Sequence, residues 1–303
     1  MSKIGVLLWR HIFETGDARR LAKQVQDLRD LTIIRDIPYL DDGERGHLLD
    51  RYELPGLPDQ APVLINIHGG GLFASYKEVN ANFNYEWARL GYRVISLSYR
   101  RIPETTLWHQ IDDVMAALRF LKEHAAEQHL NLEQCVLVGD SAGALLGLFA
   151  LGINGSRKLQ EEFEIPAAGF PVRSAGFVSV MLDTRRRDPM CAINSVITEK
   201  KDRGKPYEKY LLNPALLLRE AAWPPLFLVT SAEDLIEKDT VKLERLLREQ
   251  EIQHELLRFP KGKERKLVHV FSVMYPMYPE SRQVYEKMHT YFCEKGGLGA
   301  LPQ

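Results

Sequence analysis

Two short glycine-bearing segments and two later side chains carry residue types that together can perform acyl transfer. Gly139-Asp140-Ser141-Ala142-Gly143 places a serine between an apolar, β-branched run at 135–138 and a small aliphatic run at 142–150. That change of pattern predicts a strand turning into a helix within two residues. Such a bend forces strained backbone angles on the residue at its apex, and flanking glycines remove the Cβ atoms that would clash there. The Ser141 hydroxyl is expected to project clear of the sheet at the helix N-terminus, where unpaired N–H groups and the dipole favour a developing negative charge. Chance gives roughly 0.06 matches to Gly-x-Ser-x-Gly in a chain of this composition, so the segment is informative taken alone.

A hydroxyl is a poor nucleophile without a base in hydrogen-bond reach and a third group to orient that base. In an open parallel sheet these groups belong at the C-terminal ends of strands, where ligand crevices form. Downstream of Ser141 the histidines are His254, His269 and His289. His254 falls inside an alternating strand and His289 inside a helix, whereas His269 follows the last strand and the loop 260–266, so His269 is the expected base. For the orienting carboxylate, Asp234 comes a few residues after the run 226–230, and Asp183, just past the preceding strand, is its rival. Asp188 and Asp202 lie deep in an insertion, and Asp239 suits a helix N-cap.

The attack would leave an oxyanion that needs donors. His68-Gly69-Gly70-Gly71 directly follows the apolar strand 63–67, and consecutive glycines let backbone N–H groups face inward with no side chain in the way. With the Ala142 N–H they make a three-donor hole. A phosphate-cradling loop would instead want a lysine or spaced glycines, which this segment lacks.

The elements that must position these groups alternate. Residues 3–30 read as one bent amphipathic helix or two short ones, with a break near Gly16, expected to form part of a lid. Residues 31–40 and 48–54 read as a strand pair around Asp41-Asp42-Gly43. Strands at 63–67, 93–97 and 135–138 are separated by helices at 80–90 and 111–127, and the rhythm resumes with strands at 175–181, 226–230 and 254–259 and helices at 239–250 and 284–295. Such an order means a parallel sheet covered on both faces. Between 182 and 223 it lapses into polar and basic residues, which marks an insertion. No repeat or low-complexity segment interrupts the chain.

Composition narrows the partners. The 303 residues are 45% hydrophobic, enough for a large core in a single domain, 1–303. With 40 basic and 41 acidic residues and a formal charge of -1, nothing suggests a nucleic-acid groove or a polybasic anchor. Cys135, Cys191 and Cys293 are odd in number and far apart, which argues for free thiols rather than disulfides or a metal cluster. The run 4–9 is too short for a signal peptide and no segment reaches membrane-spanning length. The reading is a cytoplasmic protein without cofactor or metal, acting on a small molecule; a homodimer is compatible with it, and neither nucleic acid nor membrane is an expected partner.

His68-Gly69-Gly70-Gly71, Gly139-Asp140-Ser141-Ala142-Gly143, Asp234 and His269, in that order, resemble the hormone-sensitive-lipase-like family of α/β-hydrolase serine esterases from about residue 62 to the end. Tyr99-Arg100-Arg101-Ile102-Pro103-Glu104 resembles that family's Tyr-Arg-x-x-Pro-Glu segment, Asp112-Asp113 its acidic helix start, and Ser231-Ala232-Glu233-Asp234-Leu235 its acid loop. The resemblance implies the α/β-hydrolase fold: a mostly parallel eight-stranded sheet flanked by helices, with a helical cap from about 1–30 and the insertion 182–223. It also implies Gly70, Gly71 and Ala142 as oxyanion-hole donors, supported by His68, Gly69, Gly139, Asp140 and Gly143. Val270 after the histidine, Ala144 after the elbow and the stretch 105–110 depart from the family pattern.

The expected activity is a carboxylesterase that hydrolyses short-chain acyl or small acetylated or aromatic esters through Ser141, His269 and Asp234 and an acyl-enzyme. Long lipids are disfavoured because the sequence shows no exposed apolar surface for a lipid interface. Two alternatives stand beside it: a serine peptidase or amidase on the same fold, and a ligand receptor without turnover. A further reading makes Trp108, Tyr76 and the basic insertion an alcohol pocket for polar esters, against one that makes the aromatics core and the charges a solvated face.

Overall fold

The computed structural model describes residues 3–184, 197–198 and 200–299. One helix, α1 (Lys3–Ala22), precedes an antiparallel pair, β1 (Thr32–Pro38) and β2 (Leu48–Glu53). Then come β3 (Pro62–Ile67), α2 (Ala81–Arg89), β4 (Arg93–Leu97), α3 (Leu107–Glu123), β5 (Asn131–Asp140), α4 (Ala142–Asn154), α5 (Arg157–Phe163) and β6 (Ser174–Val178). The chain closes with α6 (Glu208–Leu212), β7 (Leu226–Ser231), α7 (Glu237–Glu249), β8 (His254–Phe259), α8 (Phe271–Met274) and α9 (Pro279–Gly296).

The strands form one eight-stranded sheet in the order β1-β2-β4-β3-β5-β6-β7-β8. From β4 to β8 every pairing is parallel. The interior strands β3, β4, β6 and β7 are buried at every position, which is why they read as unbroken apolar runs rather than alternations. One face packs on α3, α4, α5 and α7, with Leu118, Leu145, Phe149 and Leu243 in its core. The other packs on α2 and α9 through Phe83, Trp87, Tyr285 and Phe292. The helices after β3 and after β5 therefore lie on opposite faces. That makes the C-terminal edge between β3 and β5 the topological switch point, where a crevice opens.

Several element readings need correction. The chain is helical straight through Gly16, because a glycine inside a helix lowers its stability without ending it. The third helix begins at Leu107 and ends at Glu123, so Asp112 and Asp113 sit in its second turn rather than at its start. Asp113 is spent there on Arg100 and His47. Asp239 is not an N-cap: α7 starts two residues earlier, and the Asp239 carboxylate accepts instead from the Leu182 and Asp183 N–H groups at 2.9 Å each.

Within the insertion, the described residues 197–198 and 200–223 pack Tyr207 and Tyr210 against Phe163 of α5. Cys135 is a buried free thiol and Cys293 a half-buried one, while Cys191, Asp188 and Arg185 to Arg187 lie outside the described residues. No helix among the described residues is long and apolar enough to cross a membrane. The absence of exposed apolar surface expected from the sequence does not hold, since α1 turns Ile4, Leu8 and Ile12 to solvent. Helical periodicity shows that a stripe exists and not which way it faces.

Candidate active site

At the end of β5 the backbone bends as the glycine spacing requires. Ser141 has φ 51° and ψ -115°, a region costly for a residue with a Cβ. Its N–H donates to the Val178 carbonyl at 2.9 Å and its carbonyl accepts from the Met181 N–H at 3.2 Å, so β6 holds the apex in place. Gly143 is needed for close approach: a Cβ there would stand 2.0 Å from the Ile67 carbonyl oxygen at the end of β3.

The His269 ring reaches both partners. Its Nε2 lies 3.0 Å from Ser141 Oγ and its Nδ1 lies 2.8 Å from Asp234 Oδ1. A carboxylate can only accept, so Nδ1 carries the proton and Nε2 faces the hydroxyl as acceptor. Asp234 sits in the loop after β7, its second oxygen taking the Thr230 hydroxyl at 3.0 Å and its first the Ile236 N–H at 3.0 Å. Burial pushes its pKa up, but the bond to His269, that ring's charge, and bonds from Ser179 and Ile236 outweigh it and leave the group below the usual carboxylate range. Asp183, the rival carboxylate, is exposed beside Asp239. The His254 Nδ1–H donates to the Ile252 carbonyl and His289 meets Tyr92; neither lines the pocket.

The glycine segment after β3 folds over the same space. Gly70 and Gly71 have φ 114° and 61° and line the pocket with Ser141 and His269. Among the described residues no acceptor is bonded to the Gly70, Gly71 or Ala142 N–H. His68 is fully buried, stacks on Tyr99 with centroids 4.4 Å apart, and points Nδ1 at the Gly69 carbonyl at 2.6 Å. Burial drives its pKa down to about 4, so it is a neutral pillar under the loop. Asp140 clamps that loop from the other side: its Oδ1 takes the Gly69 N–H at 3.1 Å and the Asn80 amide at 2.6 Å. Burial raises the Asp140 pKa to about 6, against the lowering pull of Asn80, the His269 charge and the Gly69 N–H.

These groups border a pocket of about 180 Å³ with apolar walls that include Val79, Met181, Leu235, Ile236 and Val273. One wall comes from α1, as Phe13, Asp17 and Arg20. Arg20 donates to the Val79 and Met274 carbonyls at 3.2 Å each and to Asp17 at 3.2 Å. Trp108 and Tyr76 do not line the pocket. Trp108 donates to the Phe163 carbonyl at 3.1 Å beside Tyr207, and Tyr76 is held between the guanidinium groups of Arg45 and Arg101 at 4.3 and 4.0 Å. No residue of the described part of the insertion reaches it.

Sequence reasoning missed Ser179, Asn80 and the α1 residues. Ser179 follows directly on β6, at the strand edge where chemistry was sought, and its hydroxyl takes the Val270 N–H at 3.0 Å. Asn80 and Arg20 carry no signal in the sequence. Val270, where the resembled family has glycine, adopts φ 49° and ψ 33°, a left-handed conformation that costs a β-branched residue roughly 1–2 kcal/mol.

The mixed sheet, the strand-to-helix bend at Ser141 and the hydrogen-bonded serine, histidine and aspartate define an α/β-hydrolase, as the motifs suggested. The model of the BD-FAE family matches residues 49–216, more than half of the chain, and the chain belongs to that family. It is 29% identical to the probable carboxylic ester hydrolase LipM of Mycobacterium tuberculosis over 75% of this chain and 54% of that protein. With the esterase LipQ of the same organism it shares 32% identity over 53% of this chain and 36% of that one. The chain thus spans about half of the first relative's length and about a third of the second's. Among solved structures, esterase B from Lactobacillus rhamnosis inhibited by a tributyrin phosphonate superposes with a TM-score of 0.89 at 23% identity, covering 98% of this chain and 97% of that one. An esterase from the bacterial hormone-sensitive lipase family gives 0.72 at 19% identity over 94% and 90% of the two chains.

Proposed function

We propose that the protein is a serine carboxylesterase acting on short-chain or small acetylated or aromatic esters. The observation that carries the reading is the continuous relay Asp234–His269–Ser141, at 2.8 and 3.0 Å, opening on a small pocket flanked by unclaimed backbone N–H groups. Ser141 Oγ attacks the ester carbonyl carbon while its proton passes to His269 Nε2. The imidazolium is stabilised through Nδ1–H by the Asp234 carboxylate. The carbonyl oxygen, now negative, faces the N–H groups of Gly70, Gly71 and Ala142, each such donor stabilising the transition state by about 3 kcal/mol. Collapse of the intermediate expels the alcohol, which takes the proton from Nε2, and leaves an acyl group on Ser141. Water then gives a proton to His269 Nε2 and attacks the acyl carbon; as the bond to Ser141 Oγ breaks, the imidazolium returns that proton to Oγ and the carboxylic acid leaves.

Pocket size supports the substrate class. A cavity of about 150 Å³ accepts a benzene ring, so about 180 Å³ suits a small acyl or aryl group. The similarity to LipM, LipQ and esterase B, all named as ester hydrolases, supports the reaction class. In this proposal α1 acts as the cap, contributing Phe13, Asp17 and Arg20 to the pocket wall. The free Cys135 and Cys293 support a reducing compartment such as the cytoplasm.

The test is a p-nitrophenyl ester series run beside matched anilides. The expected result is a kcat/KM maximum at roughly two to four acyl carbons, with Ser141→Ala lowering kcat by about 10⁴-fold or more. A preference for the anilides overturns the reading.

A further inference from the structure

The N-terminal helix is inverted. A helix lying on a domain ordinarily buries its apolar stripe and shows its charges to water. In α1 the residues Ile4, Leu8 and Ile12, one turn apart and so on one face, are 77, 61 and 51% exposed, with Leu7 at 43% and Trp9 at 37% beside them. These are five of the eleven exposed large hydrophobic side chains among the described residues, so the apolar surface is concentrated here rather than scattered. The inward face is largely polar and fully engaged. Arg10 bonds the Phe73 carbonyl and Glu104, Glu14 takes the Ser75 N–H and Arg101, and Asp17 takes the Ser75 hydroxyl and Arg20.

An exposed apolar stripe of this kind marks a contact surface, and the charges around it select the partner. Glu14 and Asp17 are the helix's only acidic residues, and both point inward. Arg19 and His11 are exposed on the outward side, with Lys23 exposed just past the helix end. A second copy packed through the same face would bring no acidic side chain of this helix to these cations, since Glu14 and Asp17 are engaged inward. Anionic headgroups supply the missing countercharge while the acyl region takes the apolar side chains. The site lies close by, since Phe13, Asp17 and Arg20 of this helix line the pocket together with the exposed Leu235.

We infer that the outward face of α1 docks on an anionic lipid bilayer, with Ile4, Leu8 and Ile12 among the upper acyl chains and Arg19 at the headgroups. The pocket then sits about one helix diameter, ~10 Å, from the lipid phase, and the enzyme meets esters that partition into membranes. The attachment is peripheral and independent of catalysis.

Sedimentation of the full chain with vesicles of phosphatidylcholine and phosphatidylglycerol, beside pure phosphatidylcholine vesicles, tests this. The wild-type protein is expected to sediment with the anionic vesicles and to be released by salt. Ile4→Ser, Leu8→Ser and Ile12→Ser combined should lower partitioning roughly tenfold or more, and Arg19→Glu should lower it at low salt. Hydrolysis of a soluble short ester should be unchanged in both variants, which shows that they are folded. Failure of the wild type to sediment, equal binding to neutral vesicles, or full binding by the triple variant overturns the inference. So does a wild-type dimer that the triple variant converts to monomer without any vesicle binding, which would make a second copy the occupant.

Discussion

The helix that starts from Ser141, α4, and the helix that supplies one wall of the pocket, α1, are built on opposite plans. From Ala142 to Ile153, α4 is buried on every side; its Gly147 lies so close to β6 that a Cβ would stand 2.7 Å from the Phe177 ring. The α1 helix meets the body mainly through ion pairs and bonds to carbonyl groups. Close apolar packing tolerates little movement, so the side that holds Ser141 is a fixed floor. Polar latches made of long side chains can open one by one at modest cost, so the α1 side is an adaptable wall. Under the proposed function, placement of the nucleophile and choice of substrate fall to parts of different rigidity.

The contrast can be broken most forcefully at Gly143. An added methyl would stand 2.0 Å from the Ile67 carbonyl oxygen, an approach to backbone that no rotamer relieves, so Gly143→Ala is expected to destabilise the protein by about 3 kcal/mol or more, measured by urea titration. Loss of activity without loss of stability would contradict a rigid floor.

A titration addresses the same floor. The folded-state pKa of Asp140 is raised to about 6 from 3.8, so the unfolded chain releases this proton first as pH rises. Native stability should fall between about pH 4 and 6 and level off above, by on the order of 3 kcal/mol. Asp140→Asn keeps an oxygen for the Gly69 N–H and removes the titration; stability of wild type relative to this variant, followed across that window, should show the decline.

The wall should give smaller effects. Arg20→Ala deletes bonds to Val79, Met274 and Asp17 and is expected to cost about 2 kcal/mol, raising KM several-fold with kcat nearly unchanged. A drop confined to kcat would place Arg20 with the reacting groups. The smallest effect is expected at Gly16, which has an ordinary helical φ and open space around its Cβ position. Gly16→Ala should stabilise by roughly 0.5–1 kcal/mol, read as a slightly higher Tm.

Legibility in the sequence followed the same division. The interior strands announce themselves because burial on both faces demands apolar runs, and the bend at Ser141 does so because close approach at Gly139 and Gly143 leaves room for hydrogen alone. Asp234 and His269, which the structure brings together, were reachable through the rule that crevice residues lie at strand ends. Helix boundaries were less readable: α7 starts at Glu237 because Asp239 is claimed by two amides from the segment after β6, a long-range partnership that leaves no local trace. The α1 wall was the least readable. Its stripe is visible in the spacing of Ile4, Leu8 and Ile12, but the outward orientation is set by Arg10, Glu14 and Arg20 finding carbonyls and charges on loops far away in the chain.

Ser179 gives the relay a common datum. Its own N–H is tied to Val229 of β7, its hydroxyl receives the amide that follows His269 and lies against the Asp234 carboxyl, and the neighbouring Val178 carbonyl fixes the Ser141 amide. The proposed nucleophile, base and acid are all referenced to Val178, the last residue of β6, and to Ser179 directly after it. When that edge of the sheet breathes, the three travel as one body and their spacings survive.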